Sequence, residues 1–285
     1  NGRLVFVGIL HQAFQEYASK LARDVRDEWT KIQGRFVDLP VNLTAGEQIE
    51  LIANALNSKR ASASFKETCV EADELLRTQA PTQFNFDKTD AFIRSWPLNP
   101  LVTVLLGPVS RRSYGQNQRS VFSFLASAER SGLQEFLRQE DAQGEAYELH
   151  DFWDYLDINL HSAISVSLDG HHFAAANDAI SRATDLPQAA LAIKLIKTVS
   201  LLEFTSRTTG LPASKDLLLA ALADEAAHIE EAISQLEAEK ILVFQKFRNA
   251  YVLFDGSDFD IEKELTTTLR EVGEASLKTV SDAVA

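Results

Sequence analysis

The sequence predicts a mostly α-helical protein with a minor β component. Three observations carry that prediction. Between residues 44 and 240 apolar side chains recur at spacings of three and four, the mark of helices with one buried face. Two short runs rich in β-branched and aromatic residues, Ile241–Gln245 and Ala250–Phe254, flank the polar segment around Arg248-Asn249, the pattern of a hairpin. At the other end, the apolar run Leu4–Leu10 stops on the polar pair His11-Gln12. It is followed by a helical pattern and by Gly34-Arg35-Phe36, which suits the edge of a phosphate-handling α/β domain.

The composition narrows the class. A chain of 285 residues holds about two or three small domains. With 45% hydrophobic and 24% charged residues it reads as an ordinary globular chain. The single Cys69 excludes an internal disulfide and fits a reducing, cytoplasmic setting. No apolar run approaches the roughly 18 residues of a membrane span, and no basic segment followed by an apolar one opens the chain as a signal peptide. The chain opens at Asn1, almost inside a strand pattern, and contains no Met, so it is read as part of a longer protein. The net charge of −13 serves solubility, and it opposes nucleic acid unless a local basic face exists.

The elements follow in order. Leu4–Leu10 reads as a buried strand. Residues 13–31 read as a helix striped by Phe14, Tyr17, Leu21 and Val25, and Phe36–Val41 as a short strand stopped near Pro40. Thr44 stands three residues before Glu47, the spacing of a capping box, and Ile49, Ile52, Ala53 and Leu56 follow on one face. Residues 65–78 continue the helical pattern, which Pro81 breaks. Asn99-Pro100 starts another helix with proline in its first turn. Tyr114–Asn117 reads as a turn and Gln118 to about Arg130 as a helix. Residues 136–186 read as helices separated at Gln143-Gly144 and Asp169-Gly170. From Pro187 on come a long helix, the Gly210-Leu211-Pro212 turn, helices over 214–222 and 225–240, the two strands, and an amphipathic helix over 257–284.

Several residues are candidates for chemistry. Arg35 offers a permanently charged, planar fork of donors that suits a phosphoryl group, or else it pairs with Asp38 or with water. Arg119 opens an apolar helix, where the helix N-terminus itself favours phosphate; a solvated surface arginine is the alternative. Arg111 and Arg112 lie close by, and the segment 107–119 carries three arginines and no acid in a strongly acidic chain. His11 and Gln12 end the first strand, where a polar group reaches a ligand or simply satisfies the structure. Cys69 reads as a packed small residue. The four histidines at positions 150, 161, 171 and 172 lack metal-ligand spacing.

Residues 1–135 resemble the second half of an AAA+-type ATPase module, close to origin-recognition ATPases and the bacterial STAND signalling NTPases. The match rests on the strand with its polar tip, on Gly34-Arg35-Phe36, and on Gly115-Gln116-Asn117-Gln118-Arg119. Residues 187–260, three helices and a hairpin, resemble a winged-helix domain, which the same families carry behind their lids. The resemblance implies an ATPase-core end over 1–45, a helical lid over 46–135, a helical bridge over 136–186, a winged helix over 187–260 and a C-terminal helix over 261–285. It implies that Arg35 acts as an arginine finger on a neighbouring subunit's nucleotide. His11 or Gln12 is then the sensor at the strand tip, and Arg119, with Arg111 and Arg112 beside it, the lid's arginine site. It further implies ATP and Mg held mainly by a preceding half, self-association through the ATPase interface, and protein partners on the winged helix. Two features depart from the family: the sensor position is commonly Asn, Ser or Thr, and no G-x-x-x-x-G-K-[ST] phosphate loop is present. This chain alone is therefore expected to be inactive.

DNA is the disfavoured partner. The segment that would read a groove, Glu225–Lys240, carries five glutamates against Lys240, and the hairpin offers only Lys246 and Arg248. Two functions stand open on the sequence: part of an ATP-dependent AAA+/STAND-like switch, or a non-enzymatic helical and winged-helix adaptor.

Overall fold

A computed structural model describes residues 5–8, 23–37, 43–112, 121–139, 144–222 and 225–254. The chain forms two compact units, Asn1–Leu43 and Thr44–Ala285. Among the described residues the structure is mostly helical with one two-stranded sheet, as the sequence predicts. No helix among them is long and apolar enough to cross a membrane.

The first unit holds helix α1 (Arg23–Gln33), the described part of the helix expected over 13–31. It closes in a turn in which the Gly34 amide donates to Thr30, Arg35 to Ile32 and Phe36 to Gln33. The strands expected here are not seen in the described residues. Val5–Gly8 has no ladder partner among them, and Val5, Phe6 and Val7 are 82%, 74% and 77% exposed. Phe36 and Val37 likewise lie outside any strand. The reason is physical: an apolar extended run becomes a strand only when neighbouring backbone satisfies its N–H and C=O groups. One aromatic contact links these segments, Phe6 meeting Phe36 edge to face at 6.1 Å between ring centroids.

The second unit begins with α2 (Ala45–Leu56), whose capping box is the one read from the sequence. The Glu47 amide donates to Thr44 Oγ1 at 3.3 Å, and Glu47 Oε2 accepts from the Thr44 amide at 2.8 Å. Asn57 ends the helix in the left-handed region at φ 42°. Helix α3 (Ala63–Gln79) is capped by Ser62 and buries Phe65, Cys69, Ala72 and Leu76. A short helix that the sequence did not announce, α4 (Thr89–Arg94), follows. It is held by the nearly buried Asp73, which accepts from the Lys88 amide at 2.8 Å and from Arg77 Nε at 2.9 Å. On its other side Glu50 pairs with Arg94 at 2.8 Å and Lys88 at 3.0 Å.

Helix α5 (Pro100–Ser110) is buried along nearly its whole length. Asn99 caps it by accepting from the Leu101 amide at 2.9 Å. Before it, a cis Trp96-Pro97 bond leads into a two-bond tie to Tyr147: the Tyr147 amide donates to Pro97 at 2.8 Å, and the Asn99 amide to Tyr147 at 3.0 Å. Helix α6 covers Val121–Ala126 and α7 covers Leu133–Phe136, so the expected helix to Arg130 ends four residues early. Helices α8 (Leu149–Ser165), α9 (Gly170–Ala183) and α10 (Ala189–Thr209) follow. Phe124 sits among Tyr147, Phe152 and Tyr155 at 4.9–5.7 Å, and Trp153 stacks on Phe173 at 4.5 Å.

The chain closes on α11 (Lys215–Ala221, capped by Ser214), α12 (Ala226–Ala238), β1 (Leu242–Gln245) and β2 (Ala250–Leu253). The strands pair antiparallel with Leu242 opposite Leu253 and Phe244 opposite Tyr251. Asn249, at φ 49°, turns the hairpin. The outer edge of β2 is tied as well, the Tyr251 amide donating to Ala213 at 2.9 Å in the linker between α10 and α11. Ile229, Ala232, Ile233 and Leu236 are the buried face of α12, and Ile229, Ile233 and Leu236 among them stand at the spacing of a single helix face in the sequence. One hydrophobic core runs from Ile49 to Leu253. The helix expected over 257–284 lies outside the described residues.

Candidate functional site

The arginine-rich end of α5 is the strongest candidate that the sequence picked out and the structure describes. Because α5 is apolar all round, its polar groups gather at its C-terminal end. There Arg111 and Arg112 leave the helix in different directions.

Arg112 points inward. Its Nη1 meets Asp169 Oδ1 at 2.5 Å, and Nη2 donates to the Phe204 carbonyl. The guanidinium lies 3.9 Å from the centre of the Phe204 ring, with the His172 ring stacked on that phenyl at 6.3 Å. Asp169 immediately precedes α9 and Phe204 lies on α10, so one side chain ties α5, α9 and α10 together. A stacked, ion-paired guanidinium does what a lysine cannot, because it uses its planar face and its edge at once.

Arg111 is exposed. Its Nη1 donates to Gln48 Oε1 at 3.1 Å. Gln48 reaches it by crossing Gly107, where an added Cβ would lie 2.0 Å from Gln48 Oε1; glycine at this position leaves that side chain its path. Arg111 therefore presents a permanent positive charge at the surface, oriented by an amide and paired with no carboxylate within 4 Å among the described residues. Arg119 lies outside the described residues, as do His11 and Gln12. Arg35 is exposed in the turn after α1, its amide donating to the Ile32 carbonyl at 3.0 Å.

Gln48, Asp169 and Phe204 were not legible as partners of these arginines. Asp169 reads locally as a loop residue before Gly170, and the separations of 63 residues for Gln48–Arg111 and 92 for Arg112–Phe204 leave no periodic signal.

Several other titratable groups among the described residues are structural. Cys69 is fully buried and burial pushes its thiol up to about 12, which keeps it protonated and unreactive at neutral pH. Among the described residues no three His, Cys, Asp or Glu side chains gather as a metal site. Lys194 meets Glu225 at 2.5 Å and Lys197 meets Asp154 at 2.7 Å, ties from α10 to the start of α12 and to α8. On α12, Glu230, Glu231, Glu237 and Glu239 are all exposed, and Lys215 reaches Glu230 at 2.7 Å. That outward face is acidic, the wrong sign for a phosphate backbone.

Comparison of the chain with protein-family models, with curated proteins and with solved structures gives no match in any of the three.

Proposed function

We propose that this chain is the lid and winged-helix part of an ATP-dependent switch of the AAA+/STAND kind. The observation that carries the reading is the unit built by α10–α12 and the hairpin. It shares one core with α5, and α5 ends in the exposed Arg111 beside the anchored Arg112. In such a protein Arg111, with Arg119 on the same segment, is offered to nucleotide phosphate. Arg112 transmits the position of that segment to α9 and α10 through Asp169 and Phe204. In the first unit, the Phe6–Phe36 contact supports the pairing of an apolar segment with Gly34-Arg35-Phe36, from which Arg35 serves a neighbouring subunit. ATP and Mg are then held by sequence preceding this chain, copies associate through the ATPase face, and the winged helix contacts protein rather than DNA, given the acidic outer face of α12.

A second reading, a helical and winged-helix adaptor without nucleotide, is favoured by one fact: Arg112 already has its counter-charge in Asp169.

Turnover of ATP by the longer protein separates the two. Arg35→Ala is expected to lower kcat by about 10³-fold or more while ATP binding survives. Arg111→Ala is expected to weaken ATP binding. Absence of ATP turnover, or turnover indifferent to Arg35, rejects the switch and leaves the adaptor.

A further inference from the structure

We propose that the cleft between the C-terminal end of α10 and strand β2 binds an acidic peptide segment of a partner protein, with Arg207 and Arg248 as its anchors. The cleft has a volume of about 400 Å³, and Gln79, Glu203, Ser206, Arg207, Arg248 and Tyr251 supply its polar and aromatic wall. The site is independent of nucleotide handling.

The cleft is built from fixed parts. Gly210 ends α10 in the left-handed region at φ 70°, its amide donating to Ser206 at 2.8 Å. The Leu211 amide donates to Thr209 Oγ1 at 3.2 Å, so the turn that forms one wall is held. The Tyr251 amide donates to Ala213, which stitches the opposite wall to the same turn. Gln79, from the last turn of α3, accepts from Ser214 Oγ at 2.8 Å and closes the end. A groove already organised in this way loses little conformational entropy when a ligand enters.

Its positive charges are open. Among the described residues no carboxylate lies within 4 Å of Arg207 or Arg248, and the Arg248 guanidinium makes only a long bond of 3.4 Å to Gln245 Oε1. In a chain of net charge −13, two exposed arginines converging on one cleft call for an anionic partner. Glu203 decides which kind. Its Oε2 accepts from the Leu253 amide at 3.5 Å, so the cleft wall alternates in charge, and a peptide can set separate carboxylates at Arg207 and Arg248 with a neutral residue opposite Glu203, which an unbroken run of phosphates cannot. Tyr251, half-buried against Phe244 at 5.0 Å, offers an apolar ring for a side chain between two acids.

The test is fluorescence anisotropy with the whole 285-residue chain and a labelled hexapeptide alternating glutamate and leucine. Saturable binding is expected. The double variant Arg207→Glu/Arg248→Glu should weaken it at least about ten-fold and should instead bind the matching lysine–leucine peptide. Arg60→Glu, an exposed arginine outside the cleft, should leave binding unchanged. If charge reversal disturbs the circular dichroism spectrum, Arg207→Gln/Arg248→Gln replaces it with the same expected loss. No saturable binding, or equal affinity in the double variant, overturns the proposal. So does an oligothymidylate of equal charge that binds more tightly than the peptide through the same two arginines.

Discussion

Two apolar runs in this chain have similar composition and different fates. Ile241–Phe254 carries its own partner: two strands lie within one hairpin, Leu242 faces Leu253, and Ala213 covers the outer edge. Leu242 is 1% exposed as a result. The run at Leu4–Leu10 shows none among the described residues, where 5–8 lie outside any strand and open to solvent. A strand is a property of a pair of segments. Sequence supplies the propensity, and only a neighbour supplies the ladder.

The same contrast separates the arginines. Arg112 has a carboxylate, a carbonyl and a ring around it, whereas among the described residues Arg111 has one amide, and Arg35 stands at the surface of a turn. Substitutions should follow this division between partnered and open groups.

The largest effect is expected at the hairpin. Leu242→Asp buries a carboxylate where Leu242 now packs, and urea unfolding should show the second unit losing about 3 kcal/mol or more. Val7→Asp, the same change in the open run, should alter stability by no more than about 0.5 kcal/mol. Equal effects at the two positions would erase the distinction between the runs.

Next comes Arg112→Ala, which strands the partly buried Asp169 and removes the stack on Phe204; about 1–2 kcal/mol should be lost in thermal or urea unfolding. Arg112→Lys should recover only part of it, and Arg111→Ala should stay within about 0.5 kcal/mol. Thr44→Ala removes the cap of α2 and should cost about 1 kcal/mol.

The smallest effect is read from pH. The Arg94 hydrogen bond, and after it that of Lys88, hold the Glu50 carboxyl below its ordinary 4.5. A folded-state value below the unfolded one means that this contribution is fully present above pH 4.5 and is lost as pH falls through the folded value. Glu50→Gln should therefore flatten the acid limb of the stability curve while leaving the neutral and alkaline limbs parallel to the wild type.

These differences mark what the sequence could and could not disclose. The capping box of Thr44 and Glu47, the Asn99-Pro100 helix start, the buried face of α12 and the hairpin were all legible, because each is written within a few consecutive residues. Helix α4 was not, because Asp73 organises its start from 15 residues upstream through a single carboxylate. The tie between Leu98 and Tyr147 joins segments whose local patterns say nothing of each other. At the arginine-rich segment the residue types were legible and their partners were not. Charge contrast marks out 107–119, but only the distant Asp169 and Phe204, brought together by the fold, decide that Arg112 turns inward while Arg111 stays out.

The proposed function requires Val5–Gly8 to pair as a strand when the rest of an ATP-handling core is present. Hydrogen exchange at the Phe6 and Val7 amides, in this chain and in the longer protein with bound ATP, reads that pairing amide by amide. The expected result is fast exchange in this chain and protection of at least about 100-fold in the longer protein, as for backbone groups inside a ladder. Equally fast exchange in both would contradict it.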